Sequence, residues 1–297
     1  MDTRTPPRCR GWRRKAIMIA AALLNVAVIV VAVFIISGQQ KGREPAYGSQ
    51  VTLPFAVSQP YGVAVDTAGD VYVADWGGDK QVLKLAVGSS TPTVLPFSDA
   101  TGVAVDRAGA VYVSESKSNR VLKLAAGSTA PTVLPFTGLD TPRDVAVDAA
   151  GAVYVAEVLN NRVLRFAAGS ATPTVLPFTG LRTPNGVAVD RAGAVYVADV
   201  FNKRVLKLAA GSATPTVLPF TGLSAPDGVA VDRAGAVYVT DAAANPGRVL
   251  KLAAGSAVPT VLPFTGLSIP NSVAVDGAGN VYVTDNGTNR VVKLTAG

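Results

Sequence analysis

Six acids recur after the second apolar run of a repeating segment: Asp75, Glu115, Glu157, Asp199, Asp241 and Asp285. Carboxylates at such regular spacing can supply a ring of metal ligands or catalytic acids. Five of them share their loop with an arginine (Arg120, Arg162, Arg204, Arg248, Arg290), and the first copy has Gln81 there. One acid and one arginine per copy is what a repeated inter-strand or inter-blade ion pair needs, so a structural role is expected. A second series, Asp66, Asp106, Asp148, Asp190, Asp232 and Asp276, stands in Asp-x-Ala-Gly segments and is expected to open tight turns. The chain contains no histidine. That removes Ser-His-Asp triads, imidazole bases and His-rich zinc sites. The residues therefore read as a non-enzymatic chain with no cofactor.

The elements that must position these residues are six near-copies of one segment, about 42 residues each, filling residues 61 to 297. The best preserved runs from Pro184 to Leu223. Each copy has four short β-rich runs, in the first copy Val63–Val65, Val71–Val73, Val82–Leu85 and Thr93–Phe97. The first two are apolar on both faces and belong between layers. The third carries a cation (Lys84, Lys123, Arg165, Lys207), and the fourth a proline (Pro96, Pro135, Pro177, Pro219, Pro263). Proline cannot donate to a ladder and is confined to sheet edges, so burial falls from the first run to the fourth. That gradient predicts an all-β propeller with four antiparallel strands per blade. The last copy ends at Gly297 without its fourth run, which is found instead at Val51–Phe55. An N-terminal strand closing the last of six blades is the expectation, with residues 51–297 as the propeller.

Of the net charge of +7, six units are carried by the N-terminal region. Arg4, Arg8, Arg10, Arg13, Arg14 and Lys15 face only Asp2, and 19 basic against 18 acidic residues remain from Gly48 onward. A nucleic-acid partner is thereby disfavoured for the globular part. Ala16–Ile36 is uncharged, with Asn25 its one strongly polar residue. Its length suits a transmembrane helix and exceeds the apolar part of a cleavable signal peptide, the competing reading. The basic residues before it place 1–15 in the cytoplasm and the propeller outside, joined through a flexible stalk at 37–50. Cys9, the single cysteine, falls on the cytoplasmic side, so no disulfide is available outside.

The pattern P-x-G-V-A-V-D-x-A-G-x-V-Y-V-x-D-x-x-N-x-R-V, met directly at Pro184–Val205, resembles the NHL repeat. The region from 51 onward, and its VLPFTGL and LAAGS segments in particular, is similar to the extracellular sensor propellers of actinobacterial receptor serine/threonine kinases. The resemblance implies a membrane-tethered sensor that binds an envelope ligand or protein. No Gly-rich loop, HRD or DFG motif is present, so kinase activity does not carry over, and a separate kinase is a possible partner. Some six-bladed lactonase-like propellers hold Ca²⁺ in the channel with acids and amides. Their nearest counterparts here are Asp144, Asn185, Asp227 and Asn271, at the start of successive innermost strands. They can converge on the channel mouth as a lactonase or lyase-type site, or simply face water.

The copies differ most in the loop after the second strand. It emerges on the same end of the propeller as the blade-to-blade loops, where repeat proteins gather their binding residues. Trp76, Val158, Leu159, Val200 and Phe201 are large apolar residues that no turn requires. They define the expected ligand-binding face, with Lys117, Arg143 and Arg182 supplying polar contacts. The bland alternative is that they tuck against neighbouring loops.

Overall fold

The structure, a computed structural model, describes residues 47–297. The basic tail, the apolar run 16–36, Cys9 and most of the expected stalk lie outside the described residues. Among the described residues no helix is long and apolar enough to cross a membrane.

Residues 47–297 form six four-stranded antiparallel sheets. In the first blade the strands run, from the channel outward, Pro60–Val65, Val71–Asp75, Val82–Leu85 and Thr93–Leu95. The second strands are buried throughout, as Val195–Asp199 illustrates. Their alternate side chains enter different inter-blade layers. Thus Tyr154, Val163 and Phe178 of the third blade pack with Val187, Val197 and Leu206 of the fourth. Each fully buried valine contributes ~1.5–3 kcal/mol, and no blade can collect that alone.

The ring closes as expected, with Tyr47–Thr52 pairing antiparallel to the final strand Arg290–Ala296, in the register Val51↔Lys293 and Thr52↔Val292. The closing strand begins four residues before Val51. The edge strands differ from expectation in length. In blades two to five they hold two residues, such as Thr174–Val175, and stop before the proline. The reason is local: the Phe178 amide bonds back to the Leu176 carbonyl at 2.8 Å, a tight turn around Pro177 that bends the chain off the sheet.

The two acid series are structural. Asp190 Oδ1 accepts the amides of Ala192 and Ala194 at 2.9 Å, and its Oδ2 accepts the Tyr196 hydroxyl at 2.9 Å. The turn is completed by Gly193 at φ +82°. Beside each such tyrosine ring sits the third-strand cation, 5.1–5.9 Å from the ring centre. In the other series, buried Asp199 pairs with Arg204 at 2.7 Å and also accepts the Arg182 amide at 2.7 Å. The acid thus ties its blade to the loop entering that blade, and Asp75, without an arginine, does so through the amides of Ser58 and Gln59.

Candidate functional site

The innermost strands divide the channel into three zones. The middle carries no charged side chain and is lined by the Val-Ala-Val segment of every blade around about 220 Å³ of space. One mouth, on the end of the long loops, is formed by one residue from each blade: Tyr61, Thr101, Arg143, Asn185, Asp227 and Asn271. Behind them the next residues are mostly glycine because the strands converge. A Cβ on Gly186 would stand 2.5 Å from the Asp227 carbonyl oxygen, and one on Gly228 2.6 Å from that of Asn271. The third blade breaks this rule with Asp144, whose Oδ1 accepts its neighbour Val145's amide at 2.9 Å and whose Oδ2 accepts the amide of Val187 on the next blade at 3.0 Å.

All four acids and amides expected at the mouth are therefore brought together there. Asn185 donates to Asp227 Oδ1 at 3.1 Å, while the Asn185 Oδ1 is buried without a hydrogen-bond partner. Burial raises the Asp144 carboxyl to about 7, and the nearby Asp227 charge adds to the rise. Burial raises Asp227 as well, against the pull of the Arg143 guanidinium. The cavity between them, open on one side, is about 20 Å³, room for one water-sized particle or one ion. Two carboxylates and two amides present oxygen donors only, the set that hard cations such as Ca²⁺ select. Arg143 belongs to this mouth, its guanidinium 3.9 Å from the centre of the Tyr61 ring. Tyr61 in turn meets Trp76 edge-on at 5.8 Å.

The expected apolar loop face is only partly open. Leu159 and Phe201 are 62% and 64% exposed, with the Arg182 guanidinium 5.9 Å from the Phe201 ring. Trp76, Val158 and Val200 are half-buried, and Lys117 is exposed. Sequence reasoning missed Tyr61 and Thr101. The signal was available, since the position following the blade-opening residue differs in almost every copy.

The family model of the SMP-30/Gluconolactonase/LRE-like region matches residues 79–261. The chain belongs to this family. An NHL-repeat model matches residues 267–294, in agreement with the repeat pattern. Serine/threonine-protein kinase PknD of Mycobacterium tuberculosis is 53% identical over 91 residues, 29% of this chain and 14% of the kinase. The chain thus matches a small part of that relative. Among solved structures, a gluconolactonase from Xanthomonas campestris superposes with a TM-score of 0.70 at 17% identity, covering 86% of this chain and 96% of that one. A virginiamycin B lyase from Staphylococcus aureus gives 0.63 at 14%, covering 84% and 99%. A chain of a nidogen/laminin complex gives 0.63 at 22%, covering 72% and 85%. At these identities the structural likenesses show the fold. Membership of the gluconolactonase family corrects the expectation that the chain is not an enzyme. That expectation rested on the absence of histidine, and acids and amides around a channel need none.

Proposed function

We propose that the channel mouth binds one hard divalent cation and works as a hydrolase site of the lactonase type. The observation that carries this reading is the buried, partnerless Asn185 Oδ1 among two raised carboxylates, in a cavity of one ion's size. Asp227, Asn185, Asn271 and Asp144 would hold the ion, which when bound polarises a carbonyl oxygen. Burial favours the neutral Asp144 carboxyl in the empty site, so taking up the ion would displace its proton. Arg143, held against the Tyr61 ring, offers its guanidinium to an anionic or developing oxyanion group at the rim. Tyr61 and Trp76 give an aromatic wall for a ring-shaped substrate. The lyase alternative is weaker: the related lyase structure is described as inactive after a histidine-to-alanine change, and this chain has no histidine. The test is hydrolysis of a panel of sugar lactones with Ca²⁺ and with a chelator. Turnover above background that a chelator and Asp227→Asn each abolish is expected; no acceleration of any lactone in the presence of Ca²⁺ would overturn the assignment.

A second reading is favoured by the identity to PknD and by exposed Leu159 and Phe201. In it the propeller is a sensor outside the membrane, tethered by a helix at 16–36, that captures an envelope ligand and acts with a separate kinase. Substituting Leu159 and Phe201 by Ser should then diminish capture of envelope material by the folded chain while leaving lactone turnover intact. Undiminished capture would remove the loop face from the account.

A further inference from the structure

The opposite mouth of the channel is built from the turns between first and second strands, and it opens into a vestibule of about 870 Å³. In the otherwise constant Asp-x-Ala-Gly turn the variable residue is Thr67, Arg107, Ala149, Arg191, Arg233 and Gly277 around the ring. Three guanidinium groups from blades two, four and five therefore line one cavity. Asp66, Asp106, Asp232 and Asp276 line the same vestibule, but none of them is paired with an arginine. Each, as Asp106 and Asp232 do, spends Oδ1 on two turn amides and Oδ2 on a tyrosine hydroxyl. Each of those tyrosines carries a third-strand cation of its own blade against its ring. Asp70, the one additional acid nearby, is bound to Lys84 at 2.8 Å. Three arginines and four aspartates thus line the vestibule, and the three arginines have no hydrogen bond or ion pair to any described residue.

Their arrangement is specific in one further respect. The Arg233 guanidinium reaches across the blade boundary and lies where a side chain on Gly277 would stand, within 2.9–3.0 Å of an added Cβ. The glycine of the sixth blade makes room for the arginine of the fifth. Between the two mouths the channel offers no charged side chain to accompany a charged occupant of this vestibule.

We propose that the vestibule is a binding site for a small multivalent oxyanion, a molecule carrying several phosphate or carboxylate groups. Guanidinium forks recognise both, and three of them around an open cavity of this size suit a multiply charged small molecule. The site lies at the far end of the channel from the cation site and is independent of it.

Calorimetric titration of the full chain with tripolyphosphate, and separately with citrate, tests this. The basic tail can also attract anions, so a chain with Arg4, Arg8, Arg10, Arg13 and Arg14 changed to Ser is titrated in parallel. One saturable site is expected in the native and tail-substituted chains, weakened at least about tenfold in the R107A/R191A/R233A variant. Sister blades already carry Thr67, Ala149 and Gly277 at these positions, so that variant keeps its fold. Gly277→Ala should weaken binding severalfold with all charges retained, because it displaces Arg233. Preference for tripolyphosphate assigns phosphate, and preference for citrate assigns carboxylate. Equal binding by the triple variant, loss of binding in the tail-substituted chain alone, or no saturable binding of either anion would overturn the proposal.

Discussion

At the residue scale, Asp144 has no equivalent in the other blades. Both of its oxygens accept backbone amides, yet burial still carries its carboxyl to about 7. Because the folded value lies above the ordinary 3.8, the folded state holds this proton more tightly than the unfolded chain. Its contribution to stability is fullest below pH 3.8 and is lost as pH rises through about 7. A bound cation reverses the balance by favouring the ionised form. Calcium should therefore raise the melting temperature more at pH 8 than at pH 5.5, and should release protons on binding at pH 7. Calorimetry in buffers of different ionisation enthalpy reads that release; a pH-independent calcium effect would count against Asp144 as a ligand. The paired acids make a separate prediction. Asp199 is fully buried and Arg204 partly open, so Arg204→Ala should cost ~2–4 kcal/mol in urea unfolding by stranding the carboxylate.

At the element scale, the repeat makes most of the architecture legible in the sequence. Val-Ala-Val and Val-Tyr-Val runs cannot face water on either side, and Asp-x-Ala-Gly can hardly be other than a turn. The edge strands were less legible: the proline was rightly placed at the edge, but its effect, a turn that ends the strand at Val175, depends on where the next amide bonds. The site was legible only in part. Asn185, Asp227 and Asn271 align by blade and Asp144 follows the aligned position by one, whereas their burial and the orphaned Asn185 oxygen depend on how closely the six strands converge. The three vestibule arginines were hidden inside turns read only for their aspartate and glycine. Convergence itself can be tested. Gly186→Ala places a methyl 2.5 Å from the Asp227 carbonyl oxygen, so the fourth and fifth blades must separate. A loss of ~1–3 kcal/mol together with weaker calcium binding is expected in urea and calorimetric titrations.

At the scale of the whole molecule, the ring of residues 47–297 is held shut by one antiparallel strand pair and by the Gln50 side chain, which exchanges two hydrogen bonds with the Thr265 backbone. A chain beginning at Ala56 lacks that strand and exposes the edge at Arg290–Ala296. It should melt lower and self-associate through the open edge, and a Tyr47–Phe55 peptide added in trans should restore part of the loss. An unchanged melting temperature would mean that the closing strand contributes little. The closed ring presents two chemically opposite mouths separated by valines: oxygen donors for a cation at one end and guanidinium groups for an anion at the other. The partnerless amide is the reason for proposing the first mouth as the working end. The most direct test of that claim is a calcium titration of the full chain beside its Asp227→Asn variant. The account predicts one site in the native chain, weakened at least about tenfold in the variant; no calcium binding, or equal binding by both, would contradict it.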